Sequence, residues 1–186
     1  MALPLDNLLV HEAATTVAGQ LFGRLLAEQG ADVAMLRAPR DGFAERFLAR
    51  KKRTGWQDAQ APHIVIVDGN PSNLPSDLSE ETIRARWPGA SYVSITPYGR
   101  TGTWANVPGD DATADALSGT MSLRGTGTGG PNAAAPHVVQ QAGAYAAYVA
   151  VMQHLLRKGP DSPAVIDVSL AETALLFAEM HASYVE

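Results

Sequence analysis

The sequence predicts an α/β fold with a mostly parallel sheet and helices on both faces, on three observations. The stretch 8–37 reads as strand, turn, helix, glycine stop and strand. His63-Ile64-Val65-Ile66-Val67-Asp68 is a continuous apolar run, the pattern of a strand covered on both faces. From this run a second strand–helix–strand unit leads to Tyr92-Val93-Ser94-Ile95-Thr96. Strands that alternate with helices in this way form a parallel sheet through right-handed crossovers.

The first unit organises the chain. Leu8-Leu9-Val10 supplies its strand, and apolar residues at 17, 18, 21, 22, 25 and 26 recur at helical spacing. Thr16 is placed to cap that helix, and Gly30 to end it in the left-handed conformation. The loop after the strand and the start of the helix then lie at the carboxyl edge of the sheet, where free backbone N–H groups favour an anion. A ligand with phosphates is the first expectation. Ala38-Pro39-Arg40-Asp41-Gly42 reads as a turn and 43–49 as a short helix. Arg50-Lys51-Lys52-Arg53, with Arg46, is the densest charge cluster and reads either as a solvated patch or as a phosphate contact. A loop spans 69–76. Ser79 then caps a helix whose first turn carries Glu80 and Glu81 and which ends before Pro88-Gly89.

Composition sets limits. The 186 residues suit one domain with a real core, and 46% hydrophobic with 18% charged residues is a globular balance. A net charge of −5 argues against a nucleic-acid partner, and no run of 18 apolar residues reads as a membrane span. Cysteine is absent and the N-terminus lacks a signal-peptide pattern, so a cytoplasmic location is expected. The histidines at 11, 63, 137, 154 and 181 show no ligand spacing, so no metal is expected. Ser94, Ser118 and Ser169 lack a nucleophile-elbow sequence. Trp56, Trp87 and Trp104 read as packing residues, and 125–131 as a connection or a mobile lid.

Tyr98-Gly99-Arg100-Thr101-Gly102, Pro108-Gly109-Asp110-Asp111 and Ala116-Leu117-Ser118-Gly119-Thr120-Met121-Ser122-Leu123 follow one another in the chain. Together with 18–33, Arg50-Lys51-Lys52-Arg53, Ala142-Gly143-Ala144-Tyr145-Ala146-Ala147 and Ile166-Asp167-Val168-Ser169-Leu170, they resemble, in order, the motifs of the family III CoA-transferases, the CaiB/BaiF group. The resemblance implies a Rossmann-like large domain that binds coenzyme A or an acyl-CoA. It places Val17, Ala18, Gly19, Arg37, Arg50, Lys52, Arg53, Tyr98 and Gly99 at that ligand. In the family an aspartate attacks the acyl-CoA thioester and carries CoA as an aspartyl thioester. A racemase branch exchanges a proton with His and Asp instead.

The sequence departs from the family pattern at the nucleophile. The resemblance puts Val139 at the aspartate's position, and 137–143 contains no acidic residue. Asp110, Asp111 and His137 are the remaining candidates for catalytic groups, with Asp111 expected to cap a helix over 112–117. The asparagine–aromatic–arginine pattern expected after the third strand is not clear in Asp68-Gly69-Asn70-Pro71. The resemblance thus implies a single α/β domain over 1–186 without the family's small domain. Helices over 138–156 and 170–185 are apolar nearly all round and expected to be buried on several sides, which points to a homodimer or a partner chain. Three functions stay open. One is a CoA-binding but degenerate or partial transferase subunit, another an active transferase or racemase with displaced groups, and the third a scaffold that binds only protein.

Overall fold

Apolar runs and helical periods in alternation produce the expected layers in a computed structural model that describes residues 3–38, 42–56, 60–124 and 129–182. Six strands, β1 (Leu9–Glu12), β2 (Asp32–Met35), β3 (Arg53–Thr54), β4 (Ile64–Asp68), β5 (Ser91–Thr96) and β6 (Val165–Ser169), form one sheet of order β3-β2-β1-β4-β5-β6. Every pairing is parallel. The helices are α1 (Val17–Glu28), α2 (Phe43–Leu48), α3 (Glu80–Arg86), α4 (Asp111–Leu117), α5 (Thr120–Leu123), α6 (Val138–Lys158) and α7 (Leu170–Ala182). This is the doubly wound strand order, with its switch point between β1 and β4.

Alternation along the central strands divides the core in two. Val10, Ile64, Ile66, Val93 and Ile95 face α1 and α6, where Phe22, Leu26, Ala144 and Val151 are buried. Val65, Val67 and Tyr92 face Ile83 and Trp87 on the other side. There His11 is stacked on Trp56, with ring centroids 4.9 Å apart, and meets Trp87 edge-on. Both tryptophans therefore pack, as expected, whereas Trp104 lies on Tyr98 at the surface.

Several local expectations change. Thr16 occupies the N-cap of α1, but its hydroxyl donates to Asp68 rather than capping the helix. Gly30 has φ +105°, as its role in ending α1 requires. The cation run contributes β3, a strand too short and too charged to be read from propensity. β6 and α5 carry no periodic signal strong enough to stand out. The turn at 38–42 and the glycine-rich segment lie partly outside the described residues, at 39–41 and 125–128.

Lys52 is the largest departure from the reading of the cations. Its side chain is fully buried, 2.7 Å from Glu12 Oε2, and its Nζ also donates to the Gln20 carbonyl at 2.7 Å. A single ammonium thus joins the end of β1, the first turn of α1 and the α2–β3 connection. A Cβ on Gly23 would sit 1.8 Å from Glu12 Oε2, so glycine there is what lets the carboxyl lie against α1. Arg24 adds a second tie, donating to the Phe47 carbonyl at 2.9 Å with its guanidinium over the Phe47 ring.

Removing one member of a buried ion pair leaves the other uncompensated. Lys52→Met should lower unfolding free energy by about 3–5 kcal/mol, and combining it with Glu12→Gln should recover part of the loss. Urea denaturation of both variants measures this, and a double variant less stable than Lys52→Met would refute the pairing.

Candidate functional site

At the switch point the loops after β1 and β4 meet at the carboxyl edge. The Asp68 carboxylate accepts the Thr15 and Thr16 amides at 2.7 and 2.9 Å, and both hydroxyls at 3.2 and 2.6 Å. Two of the loop amides expected to meet a phosphate, those of Thr15 and Thr16, are thus satisfied from within the chain. Gly19 permits this closeness, since a Cβ there would come within 2.5 Å of both Asp68 Oδ2 and the Ala14 methyl. Val17 and Ala18 open α1 beside it.

Beside this plug, on the β1–β2 side, is a cleft of about 130 Å³ lined by Glu12, Gln20, Met35, Arg37, Leu48 and Lys52 among others. Arg37 is exposed at its edge. Burial pushes the Glu12 carboxyl up to about 7 although Lys52 opposes the rise, and burial likewise pushes the Lys52 ammonium down. The paired Lys52 is therefore part of the cleft floor. Arg53 turns to Asp32 at 2.7 Å, while Arg50 remains exposed after Ala49 of the cleft wall. The sequence cluster is divided by the fold into a buried strut, an edge pair and exposed cations.

The segment matched to the family's reaction centre is built on α4 and the start of α6. Asp110 caps α4 in a reciprocal capping box with Thr113, and hydrogen bonds from Thr113 hold its carboxyl below the usual aspartate range. Asp111 has a different partner from the one expected. Its two oxygens accept the His137 amide at 3.1 Å and the Gln140 amide at 2.8 Å, so it caps α6. His137 is exposed in the left-handed region at φ 67°, with Nδ1 3.4 Å from Nε2 of the Gln140 side chain. Val139, in the first turn of α6, is only 4% exposed and belongs to the core. Tyr98 packs against Gly109, and Gly99 has φ +84°. The fold thus brings Asp111, His137 and Gln140 together, and keeps them apart from the Arg37 cleft.

The sequence does not single out Asp115, because an aspartate inside a short helix carries no signal. It is buried, and its carboxylate accepts from Thr120, Arg124 and the Ala134 amide. Burial alone would raise its pKa, but these donors hold it below the ordinary value. Among the described residues there is no group of three His, Cys, Asp or Glu able to hold a metal, and no helix is long and apolar enough to cross a membrane.

This doubly wound sheet, with its carboxyl-edge clefts, defines a Rossmann-like α/β domain. A family model described as CoA-transferase family III matches residues 64–185, and the chain belongs to that family. Succinate–glutarate CoA-transferase of Agrobacterium fabrum is 28% identical over 212 aligned residues, covering 92% of this chain and 53% of the relative. The probable fatty acyl-CoA transferase Rv3272 of Mycobacterium tuberculosis is 26% identical, covering 94% and 52%. The crystal structure of a CAIB/BAIF family protein from Brucella suis aligns with a TM-score of 0.82 at 23% identity, over 100% of this chain and 58% of that one. The chain spans about half the length of the curated relatives it matches.

A carboxyl group whose pKa is depressed in the fold stabilises above its unfolded value and loses that contribution as pH falls. The stability gap between the protein and Asp115→Asn should therefore be widest near neutral pH and should close as pH drops below the ordinary aspartate value of 3.8. Urea denaturation across that range checks the sign.

Proposed function

We propose that this chain binds a coenzyme A thioester at the carboxyl edge of its sheet as a degenerate or partial family III CoA-transferase subunit, without forming the aspartyl thioester itself. One observation carries the reading. The position matched to the nucleophile is Val139, packed in the core, and the neighbouring acids Asp110 and Asp111 are engaged as helix caps. A buried valine cannot attack a thioester, and Gln140 cannot form an exchangeable anhydride. The relatives' names, a succinate–glutarate CoA-transferase and a probable fatty acyl-CoA transferase, support CoA thioesters of carboxylic acids as the ligand class.

Arg37 is the cation best placed for the phosphates, at the edge of the cleft, and exposed Arg50 follows Ala49 of the cleft wall. Val17 opens α1 half-buried beside the Asp68 plug, while buried Ala18 and Gly19 shape this turn from within rather than by touching the ligand. Lys52 and Arg53 act on this site through Glu12 and Asp32 rather than by touching phosphate. Exposed Leu175, Leu176 and Phe177 on α7, with Tyr145 and Val149 on α6, support a homodimer or a partner chain that covers them and completes the reaction.

Calorimetry with CoA should detect binding that weakens about tenfold or more in Arg37→Ala, the loss of one charge-assisted contact. Hydroxylamine should trap no thioester on this chain during incubation with acyl-CoA. A trapped thioester on an aspartate of this chain, or no affinity for CoA, would overturn the reading. Sedimentation at micromolar concentration should show a species larger than the monomer.

A further inference from the structure

β6 ends the strand order and has a neighbour on the β5 side only. In the register that pairs Tyr92 with Val165, the Tyr92 N–H donates to the Ala164 carbonyl at 2.8 Å, so residues 164, 166 and 168 turn their main-chain groups to β5. Val165 and Asp167 turn theirs away from the sheet. Both residues are exposed, Val165 at 40%. An edge of this kind is a template for another strand unless a charge, a proline or a covering element blocks it. The charge on this edge is Asp167, and its carboxylate is engaged by the Arg100 N–H at 2.8 Å. The start of the strand, at Val165, is left open.

Beside this edge, on the α6 side, is a groove of about 260 Å³ lined by Ala150, Gln153, His154, Arg157, Lys158 and Ile166. The short connection 159–164 puts the end of α6 next to the start of β6. Ala150 and Ile166 are the apolar part of the groove, and Arg157 and Lys158 its basic part. His154 is committed to the connection, with Nε2 2.7 Å from the Ser162 carbonyl oxygen. Arg157 and Lys158 are exposed, and among the described residues neither meets a carboxylate. Their charges suit the last turn of α6. That role leaves their donors to solvent, in a chain whose net charge is −5.

We propose that the β6 edge is a docking site for an extended acidic segment of another protein, which adds to the sheet as a further strand and sets a carboxylate against Arg157 and Lys158. In such additions main-chain hydrogen bonds give the affinity, and pockets for alternate side chains select the sequence. Val165 and Asp167 present the main-chain groups. Successive side chains of a strand point to opposite faces, so every second residue of the segment meets the α6 groove. There Ala150 and Ile166 accept a small apolar side chain, and the two cations accept an acid through charge-assisted hydrogen bonds. A basic segment is repelled by the same residues. The edge lies on the far side of the sheet from the Arg37 cleft and does not require the CoA reading.

Fluorescence anisotropy tests the proposal on the whole chain, with a labelled, end-capped peptide Thr-Glu-Thr-Val-Thr-Glu-Thr as the probe. Its acids flank the valine on one face, so either strand direction presents one of them to the cations. The peptide should bind, more weakly as salt rises, and its counterpart with lysine in place of glutamate should not. Val165→Pro removes an outward N–H without touching the β5 ladder and should abolish binding. Changing Arg157 and Lys158 together to Glu should weaken it about tenfold. N-methylation of one alternate set of peptide amides should abolish binding and of the other set leave it, a pattern that charge attraction alone does not produce. Circular dichroism verifies that the variants are folded, and should Val165→Pro not fold, the two methylated peptides decide. Equal binding of the lysine peptide, the same response to both methylated sets, or no binding of the probe overturns the proposal. So does displacement of the probe by oligothymidylate, which would assign the cations to nucleic acid. Sedimentation of Val165→Pro should match that of the protein, and a smaller species would give the edge to a second copy instead. CoA titrations of the same variants report on the Arg37 cleft separately.

Discussion

The buried contact between Lys52 and Glu12 is the constraint on which the amino-terminal half depends. It is made where β1 ends, where α1 presents a backbone carbonyl at Gln20, and where the α2–β3 connection returns to the sheet edge. Two charges removed from water are costly, and their attraction repays this only when the remaining donors are also satisfied. Here the lysine's second donor is taken by a helix carbonyl, and the glycine at 23 leaves room for the carboxyl. The Arg37 cleft is the space left above this pair, so its shape follows from the same contact.

A second internal charge sets the character of the switch point. Asp68 fills the place beside the β1–α1 turn where doubly wound folds commonly present free amides to an anion. The edge is thereby divided into two clefts of different chemistry. On one side an exposed arginine borders a floor made of a buried ion pair; on the other Arg100 pairs with Glu80. The same logic, a carboxylate of the chain meeting backbone amides, recurs where Asp111 closes the start of α6. Acidic side chains near the expected reaction centre, Asp110 and Asp111, thus have structural partners as helix caps.

Helices α6 and α7 show how a long apolar pattern can overstate burial. Their small residues pack tightly, with Ala144, Ala147 and Ala174 inside the core, and a Cβ on Gly143 would fall 2.4 Å from Leu170. Their larger side chains at 145, 149 and 175–177 face outward. The alanine face holds the helices against the sheet, and the leucine and aromatic face is left exposed.

The sequence by itself determined the layer order, the strands β1, β2, β4 and β5, the helices α1, α3 and α6, and the family. These rest on local signals: an apolar run between turns, a 3.6-residue period, a serine cap at 79, a glycine stop at 30. Only the tertiary structure decided which charges are buried and paired and which are exposed. Lys52 and Arg50 are two residues apart in one basic run, yet one is buried against Glu12 and the other exposed, because the chain reverses between them to form β3. Asp110 and Asp111 are adjacent as well, and cap different helices. Asp68 and Thr15, or Arg100 and Glu80, are brought together only by strand order and crossover. Side-chain pairing across such separations has no period, so no reading of neighbours along the chain reaches it.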